Sequence, residues 1–170
     1  MKLKKISLFI ISALLVSCND SDLVDLNLKE SLDLNQIYFV ERVIDGDTIE
    51  LKNGDIVRYL DIDTPETVHP SKPIECFGYQ ASEKNKTLVE GEQVVLQVHH
   101  TTPRDKYGRV LAYVYVYSSL GDSVLVNAEL VQGGFARFND YGNPGVLSGE
   151  LEELEQKAQI ESVGLWGKCN

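Results

Sequence analysis

The sequence predicts an α+β domain in which a five-stranded β-barrel carries about three α-helices. Five short segments rich in β-branched and apolar residues are separated by turn-forming residues, and three other segments repeat apolar residues at helical spacing. Residues 37–170 supply about 134 residues without an internal repeat, which is enough to bury one core. We therefore expect a single domain over residues 37–170.

The strands are predicted from composition and from the turns between them. Asn53-Gly54 is a strong signal for a tight hairpin, and Asp45-Gly46 marks the preceding turn. Along the last segment, Val and Ala alternate with Leu and Tyr, as expected for a strand. The five predicted strands run from Ile37 to Ile44, from Thr48 to Lys52, from Ile56 to Ile62, from Val94 to His99 and from Val110 to Tyr117.

Each helix is predicted from apolar residues three or four positions apart, and two of the helices are followed by glycine. The helices are marked by Phe77, Ala81 and Leu88 before Gly91, by Val124 to Gln132 before Gly133, and by Leu147, Leu151, Leu154 and Ala158. A five-stranded Greek-key barrel with helices covering one end is the OB-fold, whose face and loops commonly bind oligonucleotides. We expect that fold here.

The amino terminus has the features of an export signal. Residues 1–17 combine three lysines with an apolar run too short to span a membrane, and Leu15-Val16-Ser17-Cys18 resembles a bacterial lipobox. Cys18 is then the lipidated residue, although ordinary signal cleavage beside a spare cysteine is the alternative. Residues 18–36 are predicted to be a tether, unless their leucines dock on the domain. We expect an exported, membrane-anchored lipoprotein in the periplasm or at the cell surface.

The remaining cysteines form an even pair. If Cys18 is lipidated, Cys76 and Cys169 are left in an oxidising compartment, where a disulfide between them is expected. Such a bond would join the segment before the first helix to the carboxyl terminus. Two free thiols are the alternative.

The charge balance is unusual for a protein that binds phosphates. Removal of residues 1–17 leaves 13 basic and 26 acidic side chains, a formal charge of −13. Binding of nucleic acid normally requires a basic face. Either the basic residues cluster locally, or phosphate binding is weak and assisted by a cation. An acidic surface that only aids solubility is also compatible with this charge.

Three short segments carry groups suited to phosphodiester cleavage. The sequence Arg58-Tyr59-Leu60-Asp61-Ile62-Asp63-Thr64-Pro65-Glu66 places a guanidinium and several carboxylates at the end of a predicted strand. A turn with carboxylates, Asp45-Gly46-Asp47-Thr48, precedes it, and a turn that ends in arginine, Asp105-Lys106-Tyr107-Gly108-Arg109, follows it. Hydrolysis requires neutralised phosphate charge, an activated water and an assisted leaving group, and each requirement has a candidate here.

Together these segments resemble the staphylococcal nuclease (thermonuclease) family, in order from about Val40 to Trp166. The resemblance implies an OB-fold and a Ca²⁺ ion held by Asp47, Asp63 and the main-chain carbonyl of Thr64, since calcium accepts open, water-rich oxygen coordination. It also implies that Glu66 removes a proton from the attacking water or orients that water. Arg58 and Arg109 would bracket the phosphate, because guanidinium donates paired hydrogen bonds to phosphate oxygens.

The resemblance further implies that Lys106 and Tyr107 contact a second phosphate and that Tyr141 offers a face for base stacking. The segment from Phe138 to Gly145 departs from the family pattern, because it has one tyrosine where relatives often have two. The implied activity is calcium-dependent cleavage of DNA and RNA, preferably single-stranded, with loss of the 5′-oxygen and 3′-phosphate ends. The family leads us to expect a monomer.

Two other classes of function compete with this interpretation. A non-catalytic OB-fold lipoprotein could bind nucleic acid after losing the chemistry, although such a module would usually lack at least one of the five residues Asp47, Arg58, Asp63, Glu66 and Arg109. A structural surface lipoprotein could bind Ca²⁺ only for stability. That second alternative leaves Arg58 and Arg109 without a purpose.

Overall fold

The computed structural model describes residues 36–67, 73–117 and 122–169, all within one compact unit. The predicted signal peptide, the lipidation site at Cys18 and nearly all of the predicted tether lie outside the described residues and stay predictions. Within the described ranges, no helix combines the length and the apolar character required to cross a membrane.

The described residues form eight short strands and four helices. The strands are β1 (Ile37–Asp45), β2 (Thr48–Leu51), β3 (Ile56–Tyr59), β4 (Ile62–Asp63), β5 (Gln93–Val98), β6 (Val110–Tyr117), β7 (Ser123–Leu125) and β8 (Arg137–Phe138). The helices are α1 (Gly78–Val89), α2 (Val126–Gln132), α3 (Ser148–Ile160) and α4 (Leu165–Lys168).

Five of the strands close into a barrel. Strands β1, β2 and β3 form an antiparallel meander, β5 pairs antiparallel with both β1 and β6, and β6 returns to β3. The closing pair is parallel and aligns Arg58 with Leu111. Since every barrel strand has two partners, the barrel has no open edge. The predicted α+β fold, a five-stranded OB-fold barrel with helices in a single domain, is confirmed.

The barrel interior is filled by β-branched residues from all five strands. Val40, Ile49, Val57, Val94 and Val114 are fully buried. Helices α2 and α3 add Leu130, Val131 and Leu151 to the same core cluster. These interior residues help to fix the register of the strands, because a shift by one residue would move them to the opposite face of the sheet.

Two predicted boundaries are wrong by more than one residue. The expected strand from Ile56 to Ile62 is interrupted, because Asp61 has a left-handed backbone (φ 57°), which the extended conformation of a strand excludes. The chain resumes as β4 and pairs with β8. The helix expected from Val124 begins at Val126, because Ser123–Leu125 pairs with the end of β6 instead.

The carboxyl terminus is joined to the start of α1. Cys76 Sγ and Cys169 Sγ form a disulfide, with the two Cα atoms 5.8 Å apart. Leu165 of α4 is buried, and its N–H donates a hydrogen bond of 2.8 Å to Gly134 O. The short helix α4, which the sequence pattern did not predict, therefore packs on the domain and carries Cys169 to Cys76.

Candidate active site

The turn between β1 and β2 packs against the end of β4. A Cβ atom added to Gly46 would lie 2.6 Å from Thr64 Oγ1, so a larger residue would separate the two segments. Asp47 follows this glycine and is only 4% exposed. Its Oδ2 accepts hydrogen bonds from the N–H of Thr64 (2.7 Å) and from the hydroxyl of Thr64 (2.8 Å). Two of the three predicted metal-binding residues are thus in direct contact.

Arg58 lies between the two predicted metal-binding carboxylates. It projects from β3 and is 8% exposed. Its Nη1 lies 2.7 Å from Asp47 Oδ2, and the two form an ion pair whose angle does not suit a hydrogen bond. Its Nη2 donates a hydrogen bond of 2.7 Å to Asp63 Oδ1. Burial alone would lower the pKa of Arg58, but Asp47, Tyr141 and Asp63 raise it above the usual value. The guanidinium therefore stays charged although it is buried.

The positive charge near Arg58 does not fully offset the burial of the surrounding carboxylates. Burial is the main cause that raises the pKa of Asp63; its bonds with Tyr141 and Arg58 oppose this effect, and nearby Asp47 and Glu75 add to it. Burial likewise raises the pKa of Asp45 to about 6, although Thr67 and Gly46 donate hydrogen bonds to it. Such an excess of hard oxygen donors favours a bound cation.

A divalent cation fits this donor set chemically. Asp47 and Asp63 supply carboxylate oxygens beside one guanidinium, and the region keeps a net negative charge without the ion. Among the described residues, no group of three or more acidic, histidine or cysteine side chains is placed so that it could hold a metal ion. Two carboxylates would hold a cation only in an open site, in which water and a phosphate oxygen complete the coordination.

The three predicted catalytic residues line the same two clefts. A larger cleft of about 600 Å³ and a smaller one of about 330 Å³ share Arg58, Glu66 and Arg109 in their walls. Glu66 follows β4 by three residues, and its Oε1 accepts a hydrogen bond of 3.0 Å from the N–H of Thr67. Asp47, Asp63 and Thr64 line the smaller cleft. A phosphate at the junction of the clefts would contact both arginines and the carboxylate.

Asp105 fixes the position of Arg109. Asp105 Oδ2 accepts a hydrogen bond of 2.7 Å from Arg109 Nε, while Oδ1 accepts bonds from the N–H groups of Tyr107 (2.9 Å) and Arg109 (3.0 Å). The turn between them requires Gly108, whose φ is 83°. Burial opposes ionisation of Asp105, but the bonds from Arg109 and the main chain hold its pKa below the usual value.

The predicted substrate-binding residues lie on the rim of the larger cleft. Tyr107 is 73% exposed, with Lys106 Nζ 5.0 Å and Arg109 Cζ 5.5 Å from the centre of its ring. Tyr141 is 65% exposed, and its ring centre lies 5.9 Å from Arg58 Cζ. Its hydroxyl donates a hydrogen bond to Asp63, a contact that the sequence pattern did not predict.

Sequence reasoning did not assign roles to Asp61 or Asp105. Asp61 accepts hydrogen bonds from Tyr113 Oη and from the N–H of Gly145, so it holds the loop that carries Tyr141. Its partners are distant in sequence and left no local signal. Asp105 could have been recognised, since an aspartate at the start of a tight turn commonly accepts hydrogen bonds from the residues that follow.

Most of the chain is similar to known proteins. Residues 56–168 match the family described as "Staphylococcal nuclease homologue". The chain is 38% identical over 144 residues to the "SPbeta prophage-derived endonuclease YokF" of Bacillus subtilis, 38% over 142 residues to the "Thermonuclease" of Staphylococcus intermedius, and 40% over 133 residues to the "Endonuclease YncB" of B. subtilis.

The matches cover most of this chain but different shares of the relatives. They take in 82%, 81% and 76% of the chain, and 46% of YokF, 81% of the thermonuclease and 61% of YncB. The chain thus spans less than two thirds of the length of two of these relatives. The match to the family profile includes Arg58, Asp63, Glu66 and Arg109. The chain belongs to the staphylococcal nuclease family.

Proposed function

We propose that this protein is a calcium-dependent nuclease that hydrolyses phosphodiester bonds in DNA and RNA, preferably in single strands. The observation that carries the proposal is the position of Arg58, which is buried between Asp47 and Asp63 at the junction of two clefts that also contain Glu66 and Arg109. Ion pairing alone would explain why an arginine is buried between two carboxylates. The cleft also contains a second arginine and a glutamate, and this combination indicates a role in chemistry.

The two arginines bind and stabilise the phosphate. Arg58 approaches from the barrel and Arg109 from the turn before β6, so their guanidinium groups reach the cleft from different elements. Guanidinium hydrogen bonds to phosphate oxygens strengthen as negative charge develops in the transition state. Because their positions are held by Asp47, Asp63 and Asp105, little reorganisation is needed during the reaction.

Asp47 and Asp63 would hold Ca²⁺ together with the main-chain carbonyl of Thr64. The ion, when bound, supplies positive charge to a phosphate oxygen. Glu66 then acts on a water molecule: it accepts a proton, or orients the water, as the water oxygen bonds to phosphorus. The bond from phosphorus to the 5′-oxygen breaks, and that oxygen takes up a proton from solvent. The products end in a 3′-phosphate and a 5′-hydroxyl.

The rim of the larger cleft supports a preference for single strands. Lys106 and Tyr107 would contact a second phosphate, and the exposed rings of Tyr107 and Tyr141 would accept unpaired bases. Contacts to phosphate and stacking carry little sequence information, so cleavage should be tolerant of sequence. We further propose that the protein acts as an exported monomer, anchored to a membrane through a lipid on Cys18, in the periplasm or at the cell surface.

The test measures release of acid-soluble nucleotides from heat-denatured DNA and from RNA. The full chain with Cys18→Ser is compared with Glu66→Gln and with Glu152→Gln, a matched control on the exposed face of α3. We expect cleavage with Ca²⁺, none with EDTA, a loss of about 10²–10⁴-fold in Glu66→Gln, and no change in Glu152→Gln. A folded, calcium-supplied protein that binds DNA without cutting it would support the non-catalytic OB-fold alternative.

A further inference from the structure

The residue before Cys76 is hydrogen-bonded to the predicted catalytic Glu66 in both directions. The N–H of Glu75 donates a bond of 2.9 Å to Glu66 O, and Glu75 Oε2 accepts one of 3.2 Å from the N–H of Glu66. These two bonds fix the main chain on both sides of the Glu66 side chain. The direction in which its carboxylate points therefore depends on where Glu75 is held.

The start of α1 packs tightly against the same loop. A Cβ atom added to Gly78 would lie 2.8 Å from Thr67 Cγ2, 3.0 Å from Pro65 O and 3.1 Å from Glu66 O. Phe77, between Cys76 and Gly78, packs its ring 5.5 Å from that of Phe135. The segment from Glu75 to Gly78 thus lies in contact with the Glu66 loop on one side and with the domain on the other.

The disulfide provides a covalent anchor for this segment. Cys169 is held at the end of α4, where its N–H donates a hydrogen bond of 2.9 Å to Leu165 O, and Leu165 is buried in the domain. Cys76 follows Glu75 directly and is exposed. Without the bond, the segment would lose its covalent anchor and keep the contacts of Phe77 and Gly78 and the hydrogen bonds to Glu66.

We propose that Glu75 is a positioning residue for Glu66 and that the Cys76–Cys169 disulfide holds Glu75 in place, so that the rate of cleavage depends on the oxidation state of this pair. The inference rests on the proposed nuclease function. A displacement of about 1 Å in a reacting group can cost on the order of 10²-fold in rate. Glu75 also places negative charge near Asp63, so the comparison is made at saturating Ca²⁺. Because the bonds act on Glu66 and leave Arg58 and Arg109 in place, the effect then falls on kcat, with KM nearly unchanged.

Reduction of the Cys76–Cys169 disulfide needs a reductant of the dithiol class. Two electrons and two protons from the dithiol convert the sulfur–sulfur bond into the thiols of Cys76 and Cys169, while the reductant becomes its own disulfide. The exposed position of Cys76 gives such a reagent access. The proposed nuclease is therefore fully active in an oxidising compartment, where the disulfide is formed, and slow in a reducing one.

The experiment uses the full chain with Cys18→Ser in four forms: oxidised, reduced with dithiothreitol, Cys76→Ser with Cys169→Ser, and oxidised Glu75→Ala. Cleavage of denatured DNA is measured at a temperature at which circular dichroism shows every form to be folded. We expect kcat to fall about tenfold to a hundredfold in the last three forms, with KM within about twofold of the oxidised protein.

Two further variants separate positioning from stability. Glu75→Gln keeps an oxygen that accepts the N–H of Glu66 and should restore most of the kcat lost in Glu75→Ala. Glu83→Ala, an exposed position on α1, should leave kcat unchanged. If the folded, reduced protein cleaves with the same kcat as the oxidised protein, the inference is overturned and the disulfide only stabilises the fold. No cleavage by the oxidised protein would instead overturn the proposed function, and the inference with it.

Discussion

The hydroxyl of Tyr141 donates a hydrogen bond of 2.8 Å to Asp63 Oδ1, across 78 residues of sequence. The same hydroxyl accepts a bond of 3.1 Å from Arg58 Nη2. Burial raises the pKa of Tyr141 to about 12, and Arg58 opposes this effect, so the hydroxyl keeps its proton at neutral pH. Tyr141 therefore competes for the carboxylate oxygen that the proposed calcium site requires.

Removal of this hydroxyl should tighten calcium binding. In Tyr141→Phe the ring remains and the competing donor is lost, so we expect the half-saturating Ca²⁺ concentration to fall by about two- to tenfold. Tyr141→Ala also removes the stacking face and should raise KM for single strands by about tenfold. Calcium titrations of activity in the two variants check both effects. A higher calcium requirement in Tyr141→Phe would show that the hydroxyl orients Asp63 for the metal.

Loss of Arg58 should destabilise the calcium-free protein as well as abolish cleavage. Arg58→Ala leaves the buried Asp47 carboxylate without the guanidinium that pairs with it. We expect the free energy of unfolding to fall by about 3 kcal/mol. This is a small loss for a broken buried ion pair, because the other carboxylate, Asp63, is partly exposed. Saturating Ca²⁺ should recover more stability in this variant than in the unaltered protein. Urea unfolding with and without Ca²⁺ measures both quantities.

The control for Arg58 is Arg42→Ala. The exposed Arg42 forms an ion pair with the half-buried Glu50, and ion pairs at the surface contribute about 1 kcal/mol or less. Equal losses of stability in Arg42→Ala and Arg58→Ala would contradict the description of Arg58 as the charge partner of a buried carboxylate.

Calcium should stabilise the folded protein independently of activity. A ligand at about 100 times its Kd adds about 2.7 kcal/mol to the free energy of unfolding, provided that it binds only the folded state. Asp47→Asn removes a proposed ligand and should lose this increment, whereas Glu152→Gln on α3 should keep it. Thermal unfolding with Ca²⁺ and with EDTA makes the comparison. An increment that survives in Asp47→Asn would place the calcium elsewhere.

Replacement of Asp105 should impair the use of Arg109. Asp105→Asn retains the shape of the side chain but loses the charge that pairs with Arg109, so we expect kcat/KM to fall about tenfold. Asp122→Asn, an exposed change of the same kind, is the matched control. Steady-state kinetics on denatured DNA checks the effect, and an unchanged kcat/KM would mean that Arg109 is positioned without Asp105.

The lowered pKa of Asp105 also predicts a pH dependence. Its pKa in the folded protein is below the unfolded value of about 4, so its stabilising contribution is present above that pH and is lost as pH falls through the folded pKa. The stability difference between the unaltered protein and Asp105→Asn should therefore shrink below about pH 4. Urea unfolding at pH 6 and at lower pH measures that difference.

The part of the site that could be predicted is the part carried by contiguous residues. Arg58, Asp63 and Glu66 lie within a segment of nine residues. Asp47 directly follows Asp45-Gly46, a pair that predicts a turn. The alternation of apolar residues in β6 likewise identified a strand whose bounds the structure reproduces. These features depend on local sequence, which is why pattern and motif were sufficient.

The contacts that hold the site together could not be predicted in the same way. Asp61 breaks the expected strand with its left-handed backbone and accepts bonds from Tyr113 and Gly145, which lie 52 and 84 residues away. Tyr141 was expected to stack on a base, yet its hydroxyl contacts Asp63. Both relationships depend on tertiary packing that brings the loop before α3 onto β4, and no periodicity in the chain encodes that approach.

From the closing pair of the barrel we also expect a fixed order in which the site assembles during folding. Asp47 and Arg58 come together within the β1–β3 meander, a local structure that forms with short chain loops. Arg109 joins them only when β6, some 50 residues later, aligns Leu111 beside Arg58. In a refolding experiment, nuclease activity should therefore return with the slowest structural phase. A newly made chain that has not closed its barrel would therefore lack the proposed nuclease activity.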